Sequence, residues 1–162
     1  MAKKITGCVF DLDGTLADTA PDIALALNKS LNDAGYRQLP LESVKRMIGN
    51  GIPVLVRRAL FHVEAPDNLA PAVITSMLSY SRKYYCEKSS LMHGVENCLA
   101  GLKKRAIPMS VCTNKDETVA QMVVSALGLN SYFNTIVGSR PDLVKKPDPT
   151  MLQIAAEAIN SP

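Results

Sequence analysis

The chain has 162 residues, 47% of them apolar and 20% charged, which suffices to bury a core and excludes a disordered or fibrous protein. Its 18 lysines and arginines outnumber 15 acidic residues for a net charge of +3, spread along the chain rather than gathered in a run, which argues against nucleic acid as a partner. No stretch approaches the roughly 18 apolar residues of a membrane span, so no membrane association and a cytoplasmic location are expected.

In chain order, Met1-Ala2-Lys3-Lys4 and the apolar residues after it resemble the start of a signal peptide, but Asp11 and Asp13 interrupt the run too early. Lys4 to Phe10 reads instead as a first strand, β-branched and aromatic, ending at Asp11 with Gly14 supplying a turn. From Asp18 the pattern becomes helical. Thr19 or Asp18 can cap, Pro21 suits a first turn, Asp22 favours the helix dipole, and Ile23, Leu27 and Leu31 recur at i+4 until Gly35. Further helices are predicted over Leu41 to Ile48, over Pro53 to Phe61 after the Gly49-Asn50-Gly51 stop, and over Pro71 to Tyr85, where Ile74, Met77, Leu78 and Ser81 share a face. No strand signal appears between about residues 17 and 90.

After His93-Gly94 helices and strands alternate. A helix carries Val95, Cys98, Leu99 and Leu102; a strand runs from Ile107 to Cys112; a helix carries Val119, Met122, Val123 and Ala126 until Gly128. A third strand covers Thr135 to Val137, and Asp148-Pro149 starts a last helix reaching Ile159. This order predicts an α/β fold: a Rossmann-like parallel sheet with helices on its faces, formed by residues 1–16 and 92–162, and an inserted helical cap at residues 17–91. Met47, Met77 and Met122 fall at core spacing. The four cysteines, Cys8, Cys86, Cys98 and Cys112, form no CxxC pair and only two histidines are present, so reduced, packed thiols are expected rather than a zinc site or a disulfide framework.

In a parallel sheet, ligands gather beyond the C-terminal strand ends, and three groups of residues fall there. Asp11 and Asp13, one residue apart after the first strand, can point the same way, so that one attacks phosphorus while the other shuttles a proton. Thr113-Asn114 follows the strand ending at Cys112 and is expected at a helix start, where free N–H groups and a hydroxyl hold phosphate. Lys146, near another helix start, can balance negative charge. Each has a plainer reading by itself: a cation ligand or turn cap, a helix cap, and a solvated loop charge.

Order and spacing connect them. Phe10-Asp11-Leu12-Asp13-Gly14-Thr15-Leu16, Val111-Cys112-Thr113-Asn114-Lys115 and Lys146-Pro147-Asp148-Pro149 resemble the first three signature motifs of the haloacid dehalogenase superfamily. Ala17-Asp18-Thr19-Ala20-Pro21-Asp22, Ile48-Gly49-Asn50-Gly51 and His93-Gly94-Val95 are most similar to its phosphoglycolate phosphatase branch. The resemblance implies hydrolysis of a small-molecule phosphate ester, with Asp11 forming an aspartyl-phosphate and Asp13 as acid and base. It implies Mg²⁺ against the Asp11 carboxylate and the Asp13 backbone carbonyl, and phosphoryl oxygens held by Thr113, the N–H of Asn114 and Lys146. Aspartate at position 13 favours phosphatase or mutase chemistry over dehalogenation. The cap would read the leaving group through the Gly49-Asn50-Gly51 turn, with Arg57 or Arg58 as partners for a substrate carboxylate or as residues of a solvated helix face.

The resemblance also implies a fourth motif with a further metal-binding carboxylate, which would begin where this sequence stops at Pro162. A truncated chain would then hold Mg²⁺ weakly and turn over little. Its first strand would lie at a sheet edge and invite self-association. The rival expectations are a phosphatase or mutase for another sugar phosphate, and a non-catalytic fragment binding a phosphorylated ligand or a partner.

Overall fold

The computed structural model describes residues 5–159, which form two compact units, one of residues 5–18 with 90–159 and the other Thr19–Ser89. The first contains a three-stranded parallel sheet in the order β1-β4-β5: β1 is Cys8–Phe10, β4 is Met109–Asp116 and β5 is Thr135–Ser139. Cys8 to Phe10 pair with Met109 to Val111, and Ser110 to Cys112 pair with Thr135 to Val137. The observed β1 begins later than the predicted strand, whose first residue, Lys4, lies outside the described residues.

Met109 to Cys112 are four consecutive buried residues. Side chains alternate across a strand, so such a run belongs to a central strand covered on both faces. Cys112 and Val137 pack against Met151 and Ala155 of α7, Thr150–Glu157, and the Ser110 hydroxyl donates to the Ala155 carbonyl at 2.8 Å. Helix α6, Glu117–Ala126, joins β4 to β5 and buries Val119, Ala120, Val123 and Val124; Ala126, expected on that face, is exposed. Helix α5, Val95–Lys104, buries Leu99. Cys98, expected to be a packed thiol on the same helix face, is exposed, while Leu99 is buried and Val95 and Leu102 are half-buried.

Two short strands escape the sequence pattern. β2, Ala17–Asp18, and β3, Ser90–Leu91, pair antiparallel, Ala17 with Leu91 and Asp18 with Ser90. Two residues are too few to display a period of two. They flank the points where the chain leaves the α/β unit and returns to it.

The second unit is all-helical: α1 (Ala20–Asp33), α2 (Leu41–Lys45), α3 (Ile52–His62) and α4 (Ala70–Lys83). Leu27, Leu31, Val56, Leu60, Val73 and Met77 form its centre, with Met47 packed against them. Asn28 fixes the loop after α1, donating from Nδ2 to the Leu39 carbonyl at 2.9 Å and accepting the Leu39 N–H at 2.8 Å. Asp22 lies in the first turn of α1, where the dipole reading expects it, and has a second role. It is 3% exposed, and its carboxylate accepts the N–H groups of Lys88 and Ser89 at 2.8–3.0 Å and the Ser89 hydroxyl at 2.6 Å. No helix among the described residues is long and apolar enough to cross a membrane.

Candidate active site

The turn after β1 is built on one carbonyl. The oxygen of Leu12 accepts the N–H groups of Thr15, Leu16 and Ala17 at 3.0–3.3 Å, while Gly14 donates to Ala17 at 2.8 Å. Gly14 has φ 78°, the left-handed region where a side chain is strained and glycine is not. Leu12 is fully buried and anchors the turn between Asp11, which is exposed, and Asp13, which is half-buried.

Each carboxylate has its own lysine. Lys146 Nζ lies 3.1 Å from Asp11 Oδ1, which also accepts the Leu12 N–H at 2.8 Å. Lys115 Nζ donates to Asp13 Oδ1 at 3.0 Å. The two pairs differ in access: the Lys146 and Asp11 side chains are 29% and 44% exposed, those of Lys115 and Asp13 11% and 16%. The first pair is open to an incoming anion and the second is closed.

Lys146 is held at both ends. Its Nζ donates to the Cys112 carbonyl at 2.8 Å. Its main chain forms a reciprocal pair with the Asn114 amide, the Lys146 N–H donating to Oδ1 at 2.9 Å and Nδ2 donating to the Lys146 carbonyl at 3.1 Å. The Lys146-Pro147 peptide bond is cis. After it, Asp148 accepts from the Thr150 N–H and hydroxyl at 2.9 and 2.6 Å, and these bonds hold its carboxyl below the usual range. Burial pushes the Cys112 thiol up, against the opposing pull of the Lys146 ammonium.

Thr113 and Asn114 are not at a helix start. Both are buried within β4, which continues to Asp116 with an irregularity in its pairing after Cys112. Asp116 is the N-cap of α6 and accepts the Val119 N–H at 3.1 Å, so the free N–H groups of that helix begin two residues later than expected. The sequence pattern missed this because Thr113 to Asp116 are polar, and a polar strand extension looks like a loop. Ending the strand early also concealed Lys115, whose N–H reaches Thr113 Oγ1 at 3.3 Å. Carrying the strand period two residues beyond Thr113 points to it.

In the helical unit, Arg58 donates from Nη1 to the Met47 carbonyl at 2.9 Å, just before the Gly49-Asn50-Gly51 turn, and Arg57 lies 3.7 Å from Asp67. Both arginines are exposed.

The chain as a whole is similar to known proteins. A profile of the haloacid dehalogenase-like hydrolases matches residues 8–162. The chain is 32% identical over 157 residues to a phosphoglycolate phosphatase of Colwellia psychrerythraea, with 94% of this chain and 70% of that protein covered. It is 37% identical over 160 residues to one of Neisseria meningitidis, with 97% and 68% covered. Among solved structures, a predicted phosphoglycolate phosphatase from Haemophilus somnus superposes with a TM-score of 0.89 at 27% identity, over 99% of this chain and 74% of that one. A profile that spans nearly the whole chain, relatives above 30% identity and a shared fold point one way: this chain belongs to the haloacid dehalogenase-like hydrolases.

Proposed function

We propose that the chain hydrolyses a small phosphate monoester, 2-phosphoglycolate, through a phosphorylated Asp11. The observation that carries this reading is the Asp11–Lys146 pair at 3.1 Å: a solvent-open carboxylate faces an ammonium anchored to the Cys112 carbonyl, on a main chain fixed by the Asn114 amide. A phosphoryl group reaching Asp11 would meet its counter-charge already in place, which is how preorganised groups stabilise developing charge. The names of the Colwellia and Neisseria relatives support the substrate.

In this reading the Asp11 carboxylate attacks phosphorus, and Asp13 gives a proton to the leaving alkoxide and later takes one from water. The Thr113 hydroxyl, the Asn114 N–H and the Lys146 ammonium are the partners of the phosphoryl oxygens. A divalent cation fits the donor chemistry, since the Asp11 carboxylate and the Asp13 main-chain carbonyl are hard oxygen donors. Mg²⁺ suits a site with few protein donors, because it keeps several of its waters. When bound it supplies positive charge between carboxylate and phosphate.

Residues 17–91 are proposed as a cap domain whose side chains set substrate preference. The position of β1 at an edge of the described sheet supports self-association through that strand. The deciding experiment is phosphate release from a panel of esters in Mg²⁺, run with 2-phosphoglycolate, sugar phosphates and the Asp11→Asn variant. The expected result is preference for 2-phosphoglycolate and no release by the variant. Release undiminished by Asp11→Asn would remove Asp11 as nucleophile, and preference for a sugar phosphate would overturn the substrate.

A further inference from the structure

Lys115 is the one lysine of the strand-end cluster that the reading above leaves without a task, and it belongs to the most enclosed ion pair there. Its ammonium is 3.0 Å from Asp13 Oδ1, with both side chains at least four-fifths buried, whereas Lys146 and Asp11 remain open. The backbone that carries it is fixed in β4, next to Thr113 and Asn114, and its N–H reaches the Thr113 hydroxyl at 3.3 Å. An ammonium so enclosed has little room to hold a substrate phosphate. What it can do is fix the direction of one carboxylate.

We infer that Lys115 is a positioning residue that holds the Asp13 carboxylate for the second half of the reaction, the hydrolysis of phosphorylated Asp11. The inference rests on the phosphatase reading. In that half-reaction a water oxygen bonds to phosphorus, the bond between phosphorus and the Asp11 oxygen breaks with its electron pair returning to Asp11, and the water proton passes to Asp13. The proton acceptor must be a carboxylate aimed at the water, and an ammonium partner orients a carboxylate. In the first half-reaction Asp13 instead delivers a proton to the leaving group, and a leaving group that departs as an anion needs none. Lys115 therefore serves one step more than the other.

This asymmetry separates a positioning role from a merely structural ion pair. With p-nitrophenyl phosphate the phenolate departs without a proton, so phosphorylation of Asp11 does not call on Asp13, while its hydrolysis still does. The test is rapid-mixing kinetics on the 162-residue chain in Mg²⁺ with enzyme in excess and then with substrate in excess, for wild type, Lys115→Met and Lys115→Arg. Positioned proton transfer contributes about 10²–10⁴-fold, so Lys115→Met is expected to slow hydrolysis of the phosphorylated enzyme by roughly 10–100-fold and to leave its formation within about threefold. A burst of p-nitrophenolate then precedes slow turnover, and phosphorylated Asp11 accumulates.

Parallel slowing of both steps, with no accumulation, would overturn the inference while leaving the phosphatase reading intact. If Lys115→Met does not fold, Lys115→Arg decides in the same way, because its broader fork shifts the carboxylate while keeping the charge. Wild-type enzyme that, even in excess, releases nothing from p-nitrophenyl phosphate and no phosphate from 2-phosphoglycolate would overturn the phosphatase reading, and this inference with it.

Discussion

Lys146 Nζ stands 3.1 Å from Asp11 Oδ1 and 2.8 Å from the Cys112 carbonyl, so one ammonium ties the end of β1 to the middle of β4. Its main chain is fixed by the Asn114 amide in both directions, and its place does not depend on a mobile side chain finding a partner. Lys146→Met is expected to lower kcat roughly 10²–10³-fold, the scale seen when one preorganised donor to a developing charge is removed. Lys146→Arg will not restore the rate, because a planar fork does not occupy the position of a point charge. Steady-state kinetics on both variants check this, and near-wild-type turnover by either would contradict the role.

Asp22 should matter for stability. Replacing it with alanine orphans the N–H groups of Lys88 and Ser89 and the Ser89 hydroxyl. Ser89 is half-buried and Lys88 exposed, so water replaces part of what is lost and Asp22→Ala is expected to destabilise the helical unit by about 1–3 kcal/mol. Amide hydrogen exchange at Lys88 and Ser89 will accelerate accordingly. Asp22→Asn, which keeps one acceptor oxygen, will fall between.

Gly138 is expected to tolerate no side chain. A Cβ there would overlap the Glu117 Cα, and the Gly138 N–H donates to Glu117 Oε2 at 3.0 Å, so β5 is pressed against the first residue of α6. Overpacking of this kind costs about 1–3 kcal/mol. Gly138→Ala will lower the urea midpoint, and an unchanged midpoint would show that the contact relaxes without cost.

The cysteines will react in an order set by structure. Cys98 is exposed, whereas Cys112 is buried and its thiol is held up by that burial, so less of the nucleophilic thiolate is present at any given pH. Mild iodoacetamide treatment followed by peptide mass spectrometry will find Cys98 alkylated first and Cys112 spared in the folded protein. Early modification of Cys112 would contradict its burial.

Strand β1 pairs on one side only within the described sheet, and Ile5 before it is 56% exposed. Sedimentation velocity over a range of concentrations is expected to show reversible association that weakens in Ile5→Lys, since charge on an edge discourages pairing. A monomer at all concentrations would remove the edge as an interface.

The parts of this protein legible in its sequence are those with a local signature. Leu27 and Leu31 announce α1 by their spacing, Gly35 marks its end, and the run of Met109 to Cys112 announces a buried strand. Asp11, Asp13, Thr113 and Lys146 could be singled out because each stands beside a strand end or a predicted helix start. The strand's continuation over Thr113 to Asp116 has no such signature, because polar residues carry the extended backbone there and only the pairing of Asp116 with Ser139 reveals it. β2 and β3 were missed for lack of length.

Sequence alone determined the alternation of strands and helices and the residue types at the strand ends, because hydrophobic period and turn chemistry act over a few neighbouring positions. Tertiary structure alone decided the partners. Asp13 meets Lys115 across 102 residues, Asp22 meets Lys88 and Ser89 across 66 and 67, and Asn114 meets Lys146 across 32. A carboxylate or an amide carries no mark of which distant donor it will meet. That choice is made when packing brings two backbones together and closes water out between them.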